Sequence, residues 1–279
     1  MKKLLIAAAC VMALSYYAPK AKTDEYIDRA AQGAKSLLAQ VSEMTAASPA
    51  LSHEKQGYGQ GVNVDDKNRP TGALDFNAQY GKYSALAINE DDKRIELTFD
   101  QGYENGYTEK ILDTLKEKNV RATFFLVGDY AEKNPNLVKR MIADGHIIGN
   151  HTQTHPSMPS LTAEEIQAEI SKLHDYVKEQ FGYEMNVLRP PMGEFSEFSL
   201  SETKKAGYTT KLWSFAYKDW LTDDQPDPAY AKQKLIDGAH EGAIYLLHSV
   251  SATNAEVLGD VIDGIRARGF KLVELKANA

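Results

Sequence analysis

The chain has 279 residues, of which 43% are hydrophobic and 25% are charged. This balance is typical of a soluble globular protein and unlike that of a disordered or fibrous one. Asp and Glu (39) outnumber Lys and Arg (32), giving a net charge of −7, the opposite of what a nucleic-acid backbone binder shows. The single cysteine, Cys10, excludes an internal disulfide and a cysteine-based zinc site.

The first residues have the pattern of an export signal. Lys2 and Lys3 precede an apolar run from Leu4 to about Leu14, which is shorter than a comfortable transmembrane helix. We therefore predict that residues 1–22 are a signal peptide or, alternatively, a retained N-terminal anchor. Either alternative predicts an exported protein, secreted or held on the outer side of the cytoplasmic membrane.

Residues 23–90 are predicted to contain an N-terminal helix and a loop-rich preamble. Apolar residues recur at helical spacing over 24–45. The stretch 48–90 is rich in glycine, yet it is too apolar for a plain linker and could pack on a folded domain. These patterns divide the chain into 1–22, 23–90 and a main domain over 91–279.

From about residue 93, strand-like and helix-like segments alternate. This alternation is typical of βα units with parallel strands, which form a closed barrel or an open doubly wound sheet. The predicted strands are 94–99, 121–127, 146–149, 186–189, 209–214, 243–247 and 270–275. The predicted helices lie near 107–118, 135–144, 162–181, 197–206, 228–239 and 253–268.

Ionisable residues fall at or just after the carboxyl ends of five of these strands. They are Asp100, His151, Arg189, Asp219 and His248. In α/β barrels this face carries the active site, whereas scattered surface charges would not be expected to choose one edge. The pattern therefore favours an enzyme over a structural module.

The segment His151–His155 reads HTQTH, which on a helical turn places two imidazoles on one face at a metal-ligand spacing. On spacing alone, two ordinary polar histidines are the more frequent alternative, but the position after a strand favours a metal site. Asp100 could activate a water molecule or cap a turn, and His248 could be a general acid or a satisfied core histidine. Arg189 could orient a carboxylate and lower its pKa, or form a strand-end salt bridge.

This set of residues is adequate for metal-assisted hydrolysis of an amide or ester. The sequence lacks a nucleophile elbow, a P-loop and a dinucleotide-binding fingerprint. Acyl-enzyme, phosphoryl-transfer and hydride-transfer chemistry are therefore disfavoured.

Five strings, in order, resemble the motifs of polysaccharide deacetylases, the NodB-type domains of carbohydrate esterase family 4, over about residues 90–278. They are TFDQGYENG (98–106), HTQTH (151–155), RPPMG (189–193), DW (219–220) and LLH (246–248). The longer strings YENGYT (103–108), RPPMGEFSE (189–197) and GAIYLLHSVSATNAE (242–256) resemble the muramic-acid de-N-acetylase subgroup, which makes δ-lactam in the spore cortex. The resemblance implies an α/β fold, a distorted (β/α) barrel of about seven parallel strands.

The resemblance also implies catalytic roles. Asp100 would be the base, Arg189 would hold it, His248 would protonate the departing amine, and Asp219 would support the charged site. The substrate would be bound by Pro191, Met192, Gly193, Trp220 and Leu246, with the Met192 backbone N–H on the oxyanion and the last two side chains shaping the acetate pocket.

His151 and His155 would hold a divalent metal, with zinc as the first expectation and cobalt or manganese as alternatives. Most family members have an aspartate as the third ligand, where this sequence has Gln101. An amide oxygen can ligate a divalent metal but brings no charge. We therefore expect weaker metal binding than in the family at large.

The implied reaction removes the acetyl group from N-acetylmuramic acid in peptidoglycan and leads to muramic δ-lactam. The expected partner is a glycan strand of the cell wall or spore cortex, with no nucleic acid and with a membrane tether if the leader is retained. Lactam closure needs a free lactyl carboxyl, so a prior N-acetylmuramoyl amidase step is implied. The alternatives are an N-acetylglucosamine deacetylase and a glycan-binding pseudoenzyme that lost its metal through Gln101.

Overall fold

The computed structural model describes residues 29, 31–36, 51–90 and 92–275. The chain divides into two units, Met1–Leu51 and Ser52–Ala279. In the first unit, residues 29 and 31–36 are helical and exposed, whereas the rest of the predicted helix and the predicted leader lie outside the described residues. Within the described ranges, no helix combines the length and the apolar character needed to cross a membrane.

The six helices predicted for the main domain are all present, and two further helices accompany them. In the described part of the second unit the α-helices are α1 (Thr71–Tyr80), α2 (Thr108–Glu117), α3 (Gly128–Lys133), α4 (Pro135–Ala143), α5 (Ala163–Phe181), α6 (Glu197–Lys205), α7 (Pro228–Asp237) and α8 (Ala252–Ala267). Local chemistry sets several of these ends. The longest helix, α5, begins at a capping box between Thr162 and Glu165 and ends at Gly182 in the left-handed conformation.

The seven predicted strands are also present, with shifts of a few residues at their ends. The described strands are β1 (Gln56–Gly57), β2 (Ala85–Leu86), β3 (Arg94–Gln101), β4 (Ala122–Leu126), β5 (Ile147–Asn150), β6 (Val187–Leu188), β7 (Glu194–Phe195), β8 (Thr209–Lys211), β9 (Phe215–Ala216), β10 (Ile244–His248) and β11 (Lys271–Leu272). Strands β1 and β7 form a separate antiparallel pair. All other pairings between these strands are parallel.

The main sheet has the order β2-β8-β6-β5-β4-β3-β10-β9, and β11 pairs with the start of β3. The segment 209–216 pairs with β6 at its beginning and with β10 at its end, so the sheet curls round as a distorted barrel. The barrel prediction is thus confirmed over the open doubly wound sheet. The predicted strand 209–214 ends at Lys211 in the structure, and the carbonyl oxygens of Lys211 and Leu212 accept hydrogen bonds from Arg189.

The register of the parallel strands places their carboxyl ends side by side. His248 lies opposite Asp100, which in turn lies opposite Phe125, and Asn150 lies opposite Leu188. The side chains that follow these strands therefore meet at one edge of the barrel.

Two apolar clusters hold this edge in place. The larger one fills the space between the sheet and its helices, and includes the buried stripe Ile166, Ile170, Leu173 and Val177 of α5. Burying each such side chain contributes roughly 1.5–3 kcal/mol. The smaller cluster packs the preamble helix α1 and strand β2 against the site edge, through Ala73, Phe76, Tyr80, Ala85, Phe195, Leu212, Trp213 and Leu246.

Candidate active site

Asp100 and Arg189 form an ion pair at the centre of this edge. Asp100 is the penultimate residue of β3 and is only 7% exposed, and its Oδ1 accepts a hydrogen bond from Arg189 Nη1 at 2.7 Å. Burial alone would raise the pKa of Asp100, but the charge and hydrogen bond of Arg189 hold it below its usual value. The carboxylate is therefore ionised in neutral solution, as a proton acceptor must be.

Arg189 is completely buried, and each of its three nitrogens has a partner. Besides the bond to Asp100, Nε donates to Lys211 O at 3.1 Å and Nη2 donates to Leu212 O at 2.9 Å. The guanidinium lies 4.2 Å from the centre of the Phe125 ring and 5.8 Å from that of Trp213. These contacts fix the guanidinium and leave Asp100 one preferred orientation.

His151 and His155 lie beside the carboxylate. The Nδ1 of His151 is 2.7 Å from Arg189 O, so this nitrogen carries the hydrogen and Nε2 keeps its lone pair. Nε2 lies 3.6 Å from Asp100 Oδ2, and the two histidine rings are 4.8 Å apart. Burial lowers the pKa of His151 to about 4 and also lowers that of His155, so both imidazoles are neutral, as metal ligands must be.

The loop that carries these histidines is not a helical turn, the arrangement on which the argument from their spacing relied. Thr152 and His155 both have positive φ, 67° and 61°. The Thr152 N–H donates to Asn150 Oδ1 at 2.8 Å and the His155 N–H to Thr152 Oγ1 at 3.0 Å. The positive φ values make the loop non-helical, and these side-chain hydrogen bonds hold it with its two imidazoles adjacent.

His248 and Asp219 form a second pair at the end of β10. Asp219 is fully buried; its Oδ1 lies 2.7 Å from His248 Nδ1, and its Oδ2 accepts the His248 backbone N–H at 2.8 Å. Burial opposes protonation of this imidazole, but the hydrogen bond and charge of Asp219 raise the pKa of His248. The half-exposed indole of Trp220 lies 5.8 Å from the His248 ring.

The predicted substrate loop lies on the same edge. Residues Pro191–Gly193 form one 3₁₀ turn, in which Met192 is 55% exposed and both Met192 and Gly193 have positive φ, 58° and 64°. In such a turn the backbone N–H of Met192 can face an anion, whereas the Gly193 N–H already donates to Pro190 O at 3.2 Å. Leu246 is buried in the smaller cluster beneath the site.

Comparison with known proteins identifies the family. The sequence model described as polysaccharide deacetylase matches residues 87–211. The peptidoglycan-N-acetylmuramic acid deacetylase PdaA of Bacillus subtilis (strain 168) is 44% identical over 216 residues, which are 77% of this chain and 81% of that protein. The chain belongs to the polysaccharide deacetylase family.

Solved structures and further relatives agree with that assignment. The structure of Bacillus subtilis PdaA, described as a family 4 carbohydrate esterase, matches with a TM-score of 0.76 and 42% identity, covering 80% of this chain and 96% of that chain. A peptidoglycan-N-acetylglucosamine deacetylase of Bacillus cereus (strain ATCC 14579) is 34% identical over 185 residues, 65% of this chain and 66% of that protein. The resemblance seen in the five motifs is confirmed, and this polysaccharide deacetylase is by family a hydrolytic N-deacetylase.

The family is generally metal-dependent, and the donor atoms here fit a divalent cation. Gln101 is fully buried; its Nε2 donates to Ser249 Oγ at 2.5 Å, and its Oε1 has no hydrogen-bond partner. A buried acceptor without a partner is costly, and a cation would satisfy it. Within the described ranges no three His, Cys, Asp or Glu side chains are grouped to hold a metal.

Asn254 also belongs to this site, although it was not predicted from the sequence. Its Nδ2 donates to Asp219 Oδ2 at 2.6 Å and to His248 O at 3.2 Å, and its Oδ1 accepts from Tyr217. Asn254 lies in the first turn of α8, inside the long string at 242–256. The sequence carries no separate signal for it, since several polar residues surround it in that string.

Proposed function

We propose that the protein hydrolyses the N-acetyl group of N-acetylmuramic acid in peptidoglycan and so leads to muramic δ-lactam. The observation that carries this proposal is the meeting of two oriented pairs, Asp100–Arg189 and His248–Asp219, beside two neutral imidazoles. One pair holds an ionised carboxylate and the other a histidine that favours its protonated form. Amide hydrolysis needs one such base and one such acid. The substrate follows the name of the 44% identical Bacillus subtilis protein.

The residues would divide the proton transfers between them. Asp100 would accept a proton from the attacking water, held in place by Arg189. His248 would donate a proton to the amine nitrogen as the carbon–nitrogen bond breaks, and Asp219 would stabilise the imidazolium before that transfer. The products are acetate and the free amine of the sugar.

A divalent cation, zinc as the first expectation and cobalt or manganese as alternatives, would be held by His151 and His155, with Gln101 as a weak third ligand, and would supply Lewis-acid polarisation. The Met192 backbone N–H would donate to the developing oxyanion. Trp220 and Leu246 would bound the space for the acetyl group, with Pro191 and Gly193 shaping the loop around it.

The proposed setting is the cell wall or spore cortex, reached by export through the leader at residues 1–22, which is cleaved or kept as a membrane tether. The proposed partner is a glycan strand that an N-acetylmuramoyl amidase has already stripped of its stem peptide. Residues 23–90 are proposed as a preamble to the deacetylase domain at 91–279.

The test is mass spectrometry of muropeptides after incubation with the protein, with and without added zinc and with and without amidase pretreatment. Loss of one acetyl group from muramic acid supports the proposal, and a further loss of water shows that the ring closes. The Asp100→Asn variant is the matched control, since it keeps the shape of the side chain but removes the base.

Two outcomes would contradict the proposal. Acetyl loss confined to glucosamine would favour the alternative named for the Bacillus cereus relative, an N-acetylglucosamine deacetylase. No acetyl loss from any glycan with metal supplied would favour a glycan-binding pseudoenzyme and would make Gln101 the first residue to replace.

A further inference from the structure

The loop at 191–193 needs support from outside itself. Met192 is not a glycine, yet it adopts the left-handed conformation, which side chains disfavour. Two backbone hydrogen bonds close the turn, Gly193 N–H to Pro190 O at 3.2 Å and Glu194 N–H to Pro191 O. Neither of them is made by Met192 itself, so contacts with other segments help to hold its conformation.

Strand β1 provides such contacts from the preamble. It pairs with β7 immediately after the loop, with Gln56 opposite Phe195 and Gly57 opposite Glu194. The next residue, Tyr58, donates its backbone N–H to Gly193 O at 2.9 Å. A segment more than 130 positions earlier in the sequence thus fixes the plane of the peptide that follows Gly193.

The same segment also holds Trp213. The Tyr58 hydroxyl donates to Trp213 O at 2.6 Å, and the two rings meet edge to face at 5.2 Å. Two residues later, Gln60 Oε1 accepts the Trp213 indole N–H at 2.9 Å. Tyr58 and Gln60 therefore fix both the backbone and the indole of this tryptophan.

Trp213 in turn contacts both the loop at 191–193 and Arg189. A Cβ placed on Gly193 would lie 2.7 Å from its indole, so the indole packs directly on the loop. Its ring centre lies 5.8 Å from the guanidinium of Arg189, which holds Asp100. A shift of Trp213 would therefore disturb the loop and the carboxylate together.

We infer that Tyr58 is a positioning residue of the deacetylase site, acting through Gly193 and Trp213 on the oxyanion loop and on the Arg189–Asp100 pair. This inference rests on the proposed function, because the rate that it concerns is the rate of acetyl release. It assigns part of the catalytic geometry to the preamble, since Tyr58 lies outside the matched family segment 87–211.

The test replaces Tyr58 with Phe, which removes the hydroxyl but keeps the ring and the backbone N–H. A small displacement of catalytic groups lowers kcat. We therefore expect kcat to fall about tenfold while KM and Tm stay near the wild-type values. Tyr245→Phe is the matched control, since the buried Tyr245 hydroxyl also donates to a backbone carbonyl, that of Leu235 at 2.7 Å, but on helix α7. The control is expected to keep the wild-type kcat.

A spectroscopic measurement separates positioning from general weakening of the fold. The chain has two tryptophans, so in a Trp220→Phe background the emission reports on Trp213 alone. Tyr58→Phe is expected to lower its emission anisotropy, and Tyr245→Phe is expected to leave it unchanged.

Unchanged kcat and anisotropy in Tyr58→Phe would overturn the inference, as would equal losses of kcat in the two variants. Both outcomes presuppose a wild-type protein that releases acetate from muramic acid or glucosamine. A wild-type protein that releases none contradicts the proposed function instead, so the two failures are distinguishable.

Discussion

At the scale of single residues, the site separates two titratable groups with opposite tasks. Arg189 keeps the pKa of Asp100 low despite burial, and Asp219 keeps the pKa of His248 high despite burial. When their surroundings shift two pKa values in opposite directions, one site can hold an acid and a base at the same pH. Each pair can be tested by removing the partner that sets the pKa.

Replacing Asp219 with Asn removes the charge that favours the His248 imidazolium. The pKa of His248 falls, so the population of protonated His248 is lost at a lower pH. In a profile of kcat/KM against pH, we expect the basic limb to move to lower pH and the maximum to decrease. An unmoved basic limb in a variant with wild-type Tm would contradict the assignment of His248 as the general acid.

Replacing Gln101 with Asp adds a negative charge at the buried position whose Oε1 lacks a partner. A carboxylate attracts a divalent cation more strongly than an amide does. We expect zinc affinity, measured by competition with a chromophoric chelator, to rise, and the rise to disappear when His155 is also replaced by Ala. Equal zinc affinity of the wild-type protein and the Gln101→Asp variant would mean that this position does not face the cation.

At the scale of elements, the sequence predicted the helices and strands that local residue patterns determine. It missed the segments whose conformation depends on contacts with distant parts of the chain. Runs of β-branched and aromatic residues located the main strands, because the apolar side chains of each strand are themselves the reason that the strand is buried. Strand β1, by contrast, has two residues and exists through its pairing with β7, far along the chain. The loop at 151–155 is held by hydrogen bonds to Asn150 and Thr152 and by positive φ at Thr152 and His155, which the histidine spacing alone does not reveal.

The candidate site was predictable for a different reason. Parallel strands bring their carboxyl ends to one edge, so residues placed after five strands had to converge. Their partners were less visible: Asn254 and Trp213 reach the site from a helix and a strand break, and only the folded chain shows which groups they contact.

The loop at 191–193 allows a test at this scale. Replacing Gly193 with Ala would place a Cβ 2.7 Å from the Trp213 indole at a positive φ that side chains disfavour. We expect acetyl release to fall steeply and Tm to decrease, because the indole or the loop must move. Gly207→Ala is a useful comparison, since φ is also positive there but nothing lies within 4 Å of the added carbon; similar losses of activity in both variants would mean that backbone strain alone, without the tryptophan contact, explains the effect.

At the scale of the whole molecule, the barrel has a buried ion pair at the end opposite the site. Glu96 lies near the start of β3 and accepts hydrogen bonds from Lys211 Nζ at 2.7 Å, from Thr123 Oγ1 at 2.8 Å and from Asn89 Nδ2 at 3.1 Å. The carbonyl of Lys211 also accepts a hydrogen bond from Arg189. One residue of β8 thus joins the bottom of the barrel to the catalytic edge.

The Glu96–Lys211 pair is expected to make the barrel less stable as pH falls. Burial alone would raise the pKa of Glu96, but the charge and hydrogen bond of Lys211, with the hydrogen bonds of Thr123 and Asn89, hold it below its ordinary value of 4.5. A carboxyl whose pKa is lower in the folded state stabilises that state above its unfolded pKa, and the contribution is lost as pH falls through the folded pKa. The wild-type free energy of unfolding should therefore decrease as pH falls below 4.5.

Replacing Glu96 with Gln is expected to cost about 3–5 kcal/mol at neutral pH, because it leaves the Lys211 charge buried without its partner. The same variant should show a weaker decrease of unfolding free energy below pH 4.5, since the titrating group is gone. Urea unfolding across the acid range measures both quantities. Asp92→Asn is the matched control: Asp92 pairs with Arg94 at the same end, but both side chains are more than a third exposed, so screening by solvent keeps its effect small. A Glu96→Gln protein with the wild-type slope would show that carboxyls elsewhere set the acid stability, and that the barrel end opposite the site tolerates protonation.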